Sequence, residues 1–162
     1  MAIVYLSLGS NVEREKHIRS CLAALRGQFG DVQCSPVYES ESVGFAGSHF
    51  YNLVARIETD LPLSELNNHL KKIEDDHGRN RSGPKFSPRT LDIDILTYGD
   101  LSGCIEGIDL PREEICKNAF VLLPLADIAP DALHPVLQQS YAQLWAAYDK
   151  HKQKLWRVEF PL

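Results

Sequence analysis

Between Leu91 and Ile95 the chain alternates apolar and acidic side chains: Leu91, Asp92, Ile93, Asp94, Ile95. Alternation at period two fits a half-buried β-strand and does not fit a helix. Leu91, Ile93 and Ile95 are expected to face a core. Asp92 and Asp94 then share the opposite face, roughly 7 Å apart along the strand. Two bare carboxylates so placed repel each other. A hard divalent cation such as Mg²⁺ removes that penalty, because it prefers carboxylate oxygen. Just upstream stand Arg79, Arg81, Lys85 and Arg89, among Gly83, Pro84 and Pro88, with no acid from His77 to Arg89. A basic loop beside an acidic pair predicts phosphate on one side and metal on the other, the chemistry of a magnesium–nucleotide site. Either part alone is equally well explained as solvated charge. Their combination in one stretch is the more specific signal.

The rest of the composition narrows the function class. A chain of 162 residues reads as one domain, 1–162, with room for a core. Its 44% apolar and 24% charged residues are ordinary for a soluble globular protein. No apolar run approaches the ~18 residues of a membrane span, and no basic region precedes Ile3–Leu6 as a signal peptide requires. Cys21, Cys34, Cys104 and Cys116 are widely spaced, as reduced cysteines of a cytoplasmic protein are. A net charge of −5 argues against broad nucleic-acid or membrane binding. A local basic loop in an acidic chain points to a small anionic ligand, bound by a monomer.

In chain order, residues 2–8 read as a buried strand, broken by Gly9-Ser10-Asn11, with Asn11 as a helix cap. Ile18, Cys21, Leu22, Leu25 and Phe29 set a helix over about 12–29, ended by Gly27 and Gly30. Residues 32–40 form a second strand, which Pro36 places at an edge or a bulge. Residues 49–58 form a third, across a long loop of the kind that often binds ligands. Asp60 and Pro62 start a second helix, striped by Leu63, Leu66, Leu70 and Ile73 and ended at Gly78. Its acidic end, Glu74-Asp75-Asp76, opposes the helix dipole, which a ligand role for Glu74 would explain. After the Asp92/Asp94 strand come a short strand pair at 101–110 and a short helix around Phe120–Leu123. An irregular stretch follows at Pro124, Pro130 and Pro135. A last helix carries Leu137, Tyr141, Leu144, Trp145 and Tyr148, and a final strand spans 155–160. Up to Tyr98 the order β-α-β-β-α-β predicts an α+β fold, the ferredoxin-like antiparallel sheet with helices on one face, plus the C-terminal helix and strand.

Several pieces resemble the 6-hydroxymethyl-7,8-dihydropterin pyrophosphokinases of folate biosynthesis. They are Leu8-Gly9-Ser10-Asn11, Phe50-Tyr51-Asn52, Ile73-Glu74 with Gly78-Arg79, Pro88-Arg89-Thr90-Leu91-Asp92-Ile93-Asp94-Ile95 and Phe120-Val121-Leu122-Leu123-Pro124-Leu125. The likeness runs from about residue 2 to residue 135. It implies transfer of pyrophosphate from ATP to the hydroxymethyl oxygen of a reduced pterin, giving AMP. By that resemblance Asp92 and Asp94 hold two Mg²⁺ ions and, with Arg79 and Arg89, form the catalytic set. The resemblance places the pterin at Ser40, Ser42, Val43, Phe50, Asn52, Phe86 and Phe120. It places the nucleotide at Lys71, Glu74, Arg81, Arg89, Ile95 and Arg112. The loop 79–89 is then expected to close over the phosphates. A flat heterocycle calls for stacking faces and a few hydrogen bonds. Pyrophosphoryl transfer calls for positioning and charge neutralisation, without a protein nucleophile.

The chain departs from that pattern in places. Arg112-Glu113 stand where the family often has histidine and an aromatic or proline. Phe86 stands for a common tryptophan, and Glu41 and Ser42 for prolines. Arg112 is expected to replace the histidine as a phosphate donor, and Phe86 to cover the pterin. Taken alone, Phe120 reads as core before it reads as a stacking face, whereas Asn52 within a strand calls for a polar task. His77 and His134 read as surface or turn residues, Trp145 and Trp156 as packing. The competing readings are a non-catalytic relative that binds pterin or nucleotide, and a two-metal nuclease. The acidic balance and the lack of interleaved aromatic and basic residues argue against the nuclease.

Overall fold

The computed structural model describes residues 1–40, 49–78, 91–151 and 153–160. Strand β1 (Ala2–Ser10) buries Val4, Leu6 and Leu8 on one face. Helix α1 (Arg14–Phe29) lays Ile18, Cys21, Leu22 and Leu25 against that face, the i, i+3, i+4, i+7 stripe of an amphipathic helix. Its start differs from expectation. Asn11 is buried and does not cap it. Glu13, in a left-handed conformation, occupies the cap position instead, with no side-chain bond to the helix. Gly27 lies within the last turns, and Gly30, at φ 80°, closes the helix by donating its N–H to the Arg26 carbonyl at 3.0 Å.

Pro36 splits the second expected strand into β2 (Gln33–Cys34) and β3 (Val37–Ser40), both paired with β4 (Phe50–Thr59). Helix α2 (Leu63–Asp76) then packs Leu63, Leu66 and Leu70 on the same side of the sheet as α1. Glu74 continues that buried stripe, which is why an acid sits at this helix end. Strand β5 (Asp92–Tyr98) lies at the sheet edge, and Glu74 Oε2 accepts the edge N–H of Ile93 at 2.7 Å. A buried backbone donor with no neighbouring strand needs such a partner.

The hairpin β6 (Gly103–Ile105) and β7 (Ile108–Leu110) leads through a cis Leu110–Pro111 bond to α3 (Glu114–Lys117) and α4 (Ala119–Ile128). Helix α4 runs through Pro124, where an irregular stretch was expected. A proline inside a helix forfeits one backbone bond, at about 3 kcal/mol. Burial of Val121, Leu122 and Leu125 beside it offsets that loss. Helix α5 (Tyr141–Ala147) begins later than predicted, because Ser140 and Gln143 form a reciprocal capping box; Leu137 is left outside and exposed. Of the two expectations for His134, surface or turn, the turn holds. The residue is 7% exposed, and its Nδ1 accepts the N–H groups of Val136 and Leu137. Strand β8 (Leu155–Val158) closes the order β5-β1-β4-β3-β8, antiparallel at every step.

The fold is therefore α+β, with the sheet between two apolar clusters. Helices α1 and α2 cover one face, with Leu6, Leu8, Leu53, Ile57, Ile93 and Ile95. Helices α3, α4 and α5 cover part of the other, with Val54 and Leu96. The candidate site spreads over this second face and, at the β5 edge, reaches round to α2.

Candidate active site

Side chains alternate across a strand, so each buried position assigns its neighbours to the other face. Leu53 belongs to the α1–α2 side and Val54 to the α4 side, which puts Phe50 and Asn52 on the α4 side. By the same alternation Ser40, Gly9, Asp92 and Asp94 face that way. The register then aligns them: Asp92 opposite Gly9, Gly9 opposite Asn52, Asn52 opposite Tyr38. A carboxylate and a carboxamide thus stand in one row with only a glycine between them. Gly9 is required there by space, since a Cβ on it would lie 2.8 Å from Asn52 Oδ1. Asn52 is 5% exposed and donates from Nδ2 to Ser40 Oγ at 3.1 Å. This fixes which way its carboxamide points and explains a poor strand former in mid-strand.

At the β5 end lies an open cavity of about 430 Å³. Lys71 and Glu74 of α2 line one side, Asp92 to Ile95 the floor, and Asp109, Arg112, Glu113 and Glu114 the other side. The Arg112 N–H donates to the Leu96 carbonyl at 2.9 Å, pinning this segment to β5. Arg112 Nη2 donates to Asp94 Oδ1 at 3.2 Å, and its Nε lies 3.2 Å from Glu114 Oε2. Burial, then the neighbouring Asp92 carboxylate, raises the Asp94 carboxyl well above the usual carboxylate range, against the lowering effect of Arg112. Two carboxyls on one floor thus favour sharing a proton or a cation between them. Among the described residues, no three His, Cys, Asp or Glu side chains gather as a metal cage. Mg²⁺ is commonly held by one or two carboxylates plus substrate phosphates, and the Asp92–Asp94 pair suits that role.

Phe120, at the second position of α4, is half-buried against the second apolar cluster. Helix α4 packs over β4 and β3, the strands that carry Phe50, Asn52 and Ser40. Of the residues expected from sequence, the structure gathers Lys71, Glu74, Asp92, Asp94, Ile95 and Arg112 around one cavity. It sets Ser40, Phe50 and Asn52 on the same sheet face, under the helix of Phe120. Ser42, Val43, Arg79, Arg81, Phe86 and Arg89 lie outside the described residues, as does the expected closure of the loop 79–89. Sequence reasoning missed Asp109 and Glu114 in the cavity wall and noted Glu113 only as a departure from the family pattern. The run Pro111-Arg112-Glu113-Glu114, three consecutive charges after a strand pair, was the available signal.

Residues 5–130 match the family model described as 7,8-dihydro-6-hydroxymethylpterin-pyrophosphokinase (HPPK). The chain belongs to the HPPK family. It is 36% identical over 141 residues to the 2-amino-4-hydroxy-6-hydroxymethyldihydropteridine pyrophosphokinase of Aquifex aeolicus, covering 86% of this chain and 88% of that protein. It is 38% identical over 136 residues to the Pseudomonas aeruginosa protein of the same name, covering 82% and 83%. Some relatives are much longer. The chain spans only 21% of the folic acid synthesis protein FOL1 of Dictyostelium discoideum, at 36% identity over 83% of this chain. A crystal structure of Plasmodium falciparum HPPK-DHPS superposes with a TM-score of 0.71 at 17% identity, over 90% of this chain and 43% of that one. That likeness bears on the HPPK fold alone. No helix among the described residues is long and apolar enough to cross a membrane.

Proposed function

We propose that this chain transfers the pyrophosphoryl group of ATP to the hydroxymethyl oxygen of 6-hydroxymethyl-7,8-dihydropterin, releasing AMP. One observation carries the reading: the sheet row in which Asp92, Gly9 and Asn52 stand side by side. It supports a phosphate end and a heterocycle end on one rigid floor, about two strand spacings or roughly 10 Å apart. Membership of the HPPK family and the names of the Aquifex and Pseudomonas relatives support the same reaction. The strand order β5-β1-β4-β3 supports reading the framework as ferredoxin-like, within one domain spanning 1–162.

Charge explains how such a cavity accepts ATP. Its described lining carries six acids, Glu74, Asp92, Asp94, Asp109, Glu113 and Glu114, against two cations, Lys71 and Arg112. Phosphate oxygens brought beside these acids are better tolerated when cations accompany them. Asp92 and Asp94 are the residues that would hold Mg²⁺, as two ions, which neutralise phosphate charge when bound. Arg79, Arg81 and Arg89, from the basic segment, supply further positive charge, with Arg79 and Arg89 in catalytic roles. Arg112 reaches phosphate oxygens from the opposite wall. Asn52 reads the polar edge of the pterin, Phe50 and Phe120 stack on its faces, and Ser40 orients Asn52. Ser42, Val43 and Phe86 complete that pocket. The acceptor oxygen attacks the β-phosphorus directly, and the protein positions and neutralises without a covalent intermediate.

The test is formation of AMP and pterin diphosphate from ATP, Mg²⁺ and 6-hydroxymethyl-7,8-dihydropterin. Turnover above the uncatalysed rate is expected. Binding of both substrates without AMP would leave a non-catalytic relative as the correct reading.

A further inference from the structure

We propose that Gln153 is a positioning residue for the pterin subsite, strapping the start of α4 to the strand of Ser40. The proposal rests on the reading that Phe120, Asn52 and Ser40 receive the pterin. Gln153 lies beyond residues 5–130, the stretch matched by the family model.

The start of α4 lacks a cap of its own. Asn118 stands at the cap position with no side-chain bond to the helix, yet first-turn N–H groups need acceptors from outside the helix. Gln153 provides one from a distant part of the chain. Its Oε1 accepts the Ala119 N–H at 2.7 Å, and its Nε2 donates to Asn118 Oδ1 at 3.0 Å. Nearby, Tyr148 Oη donates to the Lys117 carbonyl at 2.7 Å. The residue after Ala119 is Phe120, the proposed stacking face.

The same short segment reaches the other wall. Two residues beyond Gln153, Leu155 pairs with Ser40 in the β3–β8 ladder, and Trp156 pairs with Glu39. Trp156 also meets His49 edge-on at 5.5 Å, and His49 Nδ1 lies 3.0 Å from Glu39 Oε2. Residues 153–156 therefore touch the helix that bears Phe120 and the strand that bears Ser40, the partner of Asn52. A bond lost at Gln153 releases the N-terminal turn of α4 relative to the sheet. Lys71 and the Asp92–Asp94 floor belong to α2 and β5, and β5 lies at the opposite end of the sheet from β8. The effect should fall on the pterin and spare the nucleotide.

The experiment compares Gln153→Met, of similar size but without the two hydrogen bonds, with Gln153→Glu, which keeps an acceptor and places an acid at a helix N-terminus. Dissociation constants are measured for 6-hydroxymethyl-7,8-dihydropterin and, separately, for a non-hydrolysable ATP analogue with Mg²⁺. Gln153→Met should weaken pterin binding about fivefold, the size of one lost helix cap, with nucleotide binding unchanged. Gln153→Glu should recover part of the loss, because its carboxylate still accepts the Ala119 N–H but cannot donate to Asn118 Oδ1. Unchanged pterin binding in Gln153→Met, equal losses for both ligands, or no rescue by glutamate would each overturn the proposal. If Gln153→Met melts below the assay temperature, Tyr148→Phe carries the test, with the same split expected. Phe120→Ala runs alongside. Should it leave pterin binding intact, the placement of the pterin falls and the strap with it. Should it weaken pterin binding while Gln153→Met does not, only the strap falls.

Discussion

Asp92 and Asp94 point away from the core that Leu91, Ile93 and Ile95 build, so removing either carboxylate should leave the fold in place. Asp92→Ala and Asp94→Ala are each expected to lower AMP formation by about a hundredfold or more, the scale of losing a charge-stabilising group. Far-UV circular dichroism and the melting midpoint should stay near those of the parent. Near-normal turnover in either variant would remove the metal role of the pair. Gly9 is the opposite case, a residue that matters through what it lacks. Gly9→Ala would press a methyl group against Asn52 Oδ1 and force the carboxamide off Ser40 Oγ. Loss of one buried hydrogen bond, about 1–3 kcal/mol, should weaken pterin binding roughly tenfold, with nucleotide binding preserved. Calorimetric titration of each ligand separates the two. Equal affinity for pterin in Gly9→Ala would mean that Asn52 does not read it.

Among the elements, the turn between α4 and α5 depends on a neutral histidine. His134 Nδ1 accepts two backbone N–H groups, which a protonated ring cannot do, and burial lowers its pKa from the ordinary value. The unfolded chain titrates near pH 6.5. It therefore binds more protons than the folded chain as the pH falls. The stability that His134 contributes is present above about pH 6.5 and is lost as the pH drops through the lower folded value. Urea unfolding at pH 7.5 and 5.5 should show this fall. His134→Gln, less stable at pH 7.5, should show a shallower one. An equal slope in both proteins would assign the dependence to other groups. The sequence left His134 as a surface or turn residue; the turn stands, and only the tertiary fold shows that the ring is buried and accepts the two N–H groups. Pro124 misled, because local propensity carries no information about the cluster that Val121, Leu122 and Leu125 bury.

At the scale of the whole molecule, ligand binding should be visible as stability. Mg²⁺–ATP at a hundred times its dissociation constant adds about 2.7 kcal/mol, which raises the melting midpoint of a domain this size by roughly 5–10 °C. ATP without a divalent cation should raise it far less, because six acids line the described cavity. A shift equal with and without Mg²⁺ would contradict that account. The strands, the two long helices and the Asp92–Asp94 face were legible in the sequence, since period and turn residues encode them locally. Lys71 and Arg112 were brought to one site only by the family resemblance, and Asp109, Glu113 and Glu114 beside them were not foreseen, because their place depends on how the hairpin β6–β7 returns to the edge of the sheet. Gln153 was invisible for a similar reason: its partners lie 34 and 35 residues away in the chain.

The row from Asp92 through Gly9 to Asn52 also acts as a ruler. Two ladders of backbone bonds hold its ends apart, and a sheet does not stretch to suit a guest. On the proposed reading, the protein measures its acceptor by reach as well as by recognising the ring. A pterin whose alcohol stands one methylene further out keeps its stacking and its bond to Asn52. Its oxygen, however, arrives more than about 1 Å from the point of attack, and misplacement of that order slows reaction about a hundredfold. The longer alcohol is expected to occupy the site as a competitor that scarcely turns over.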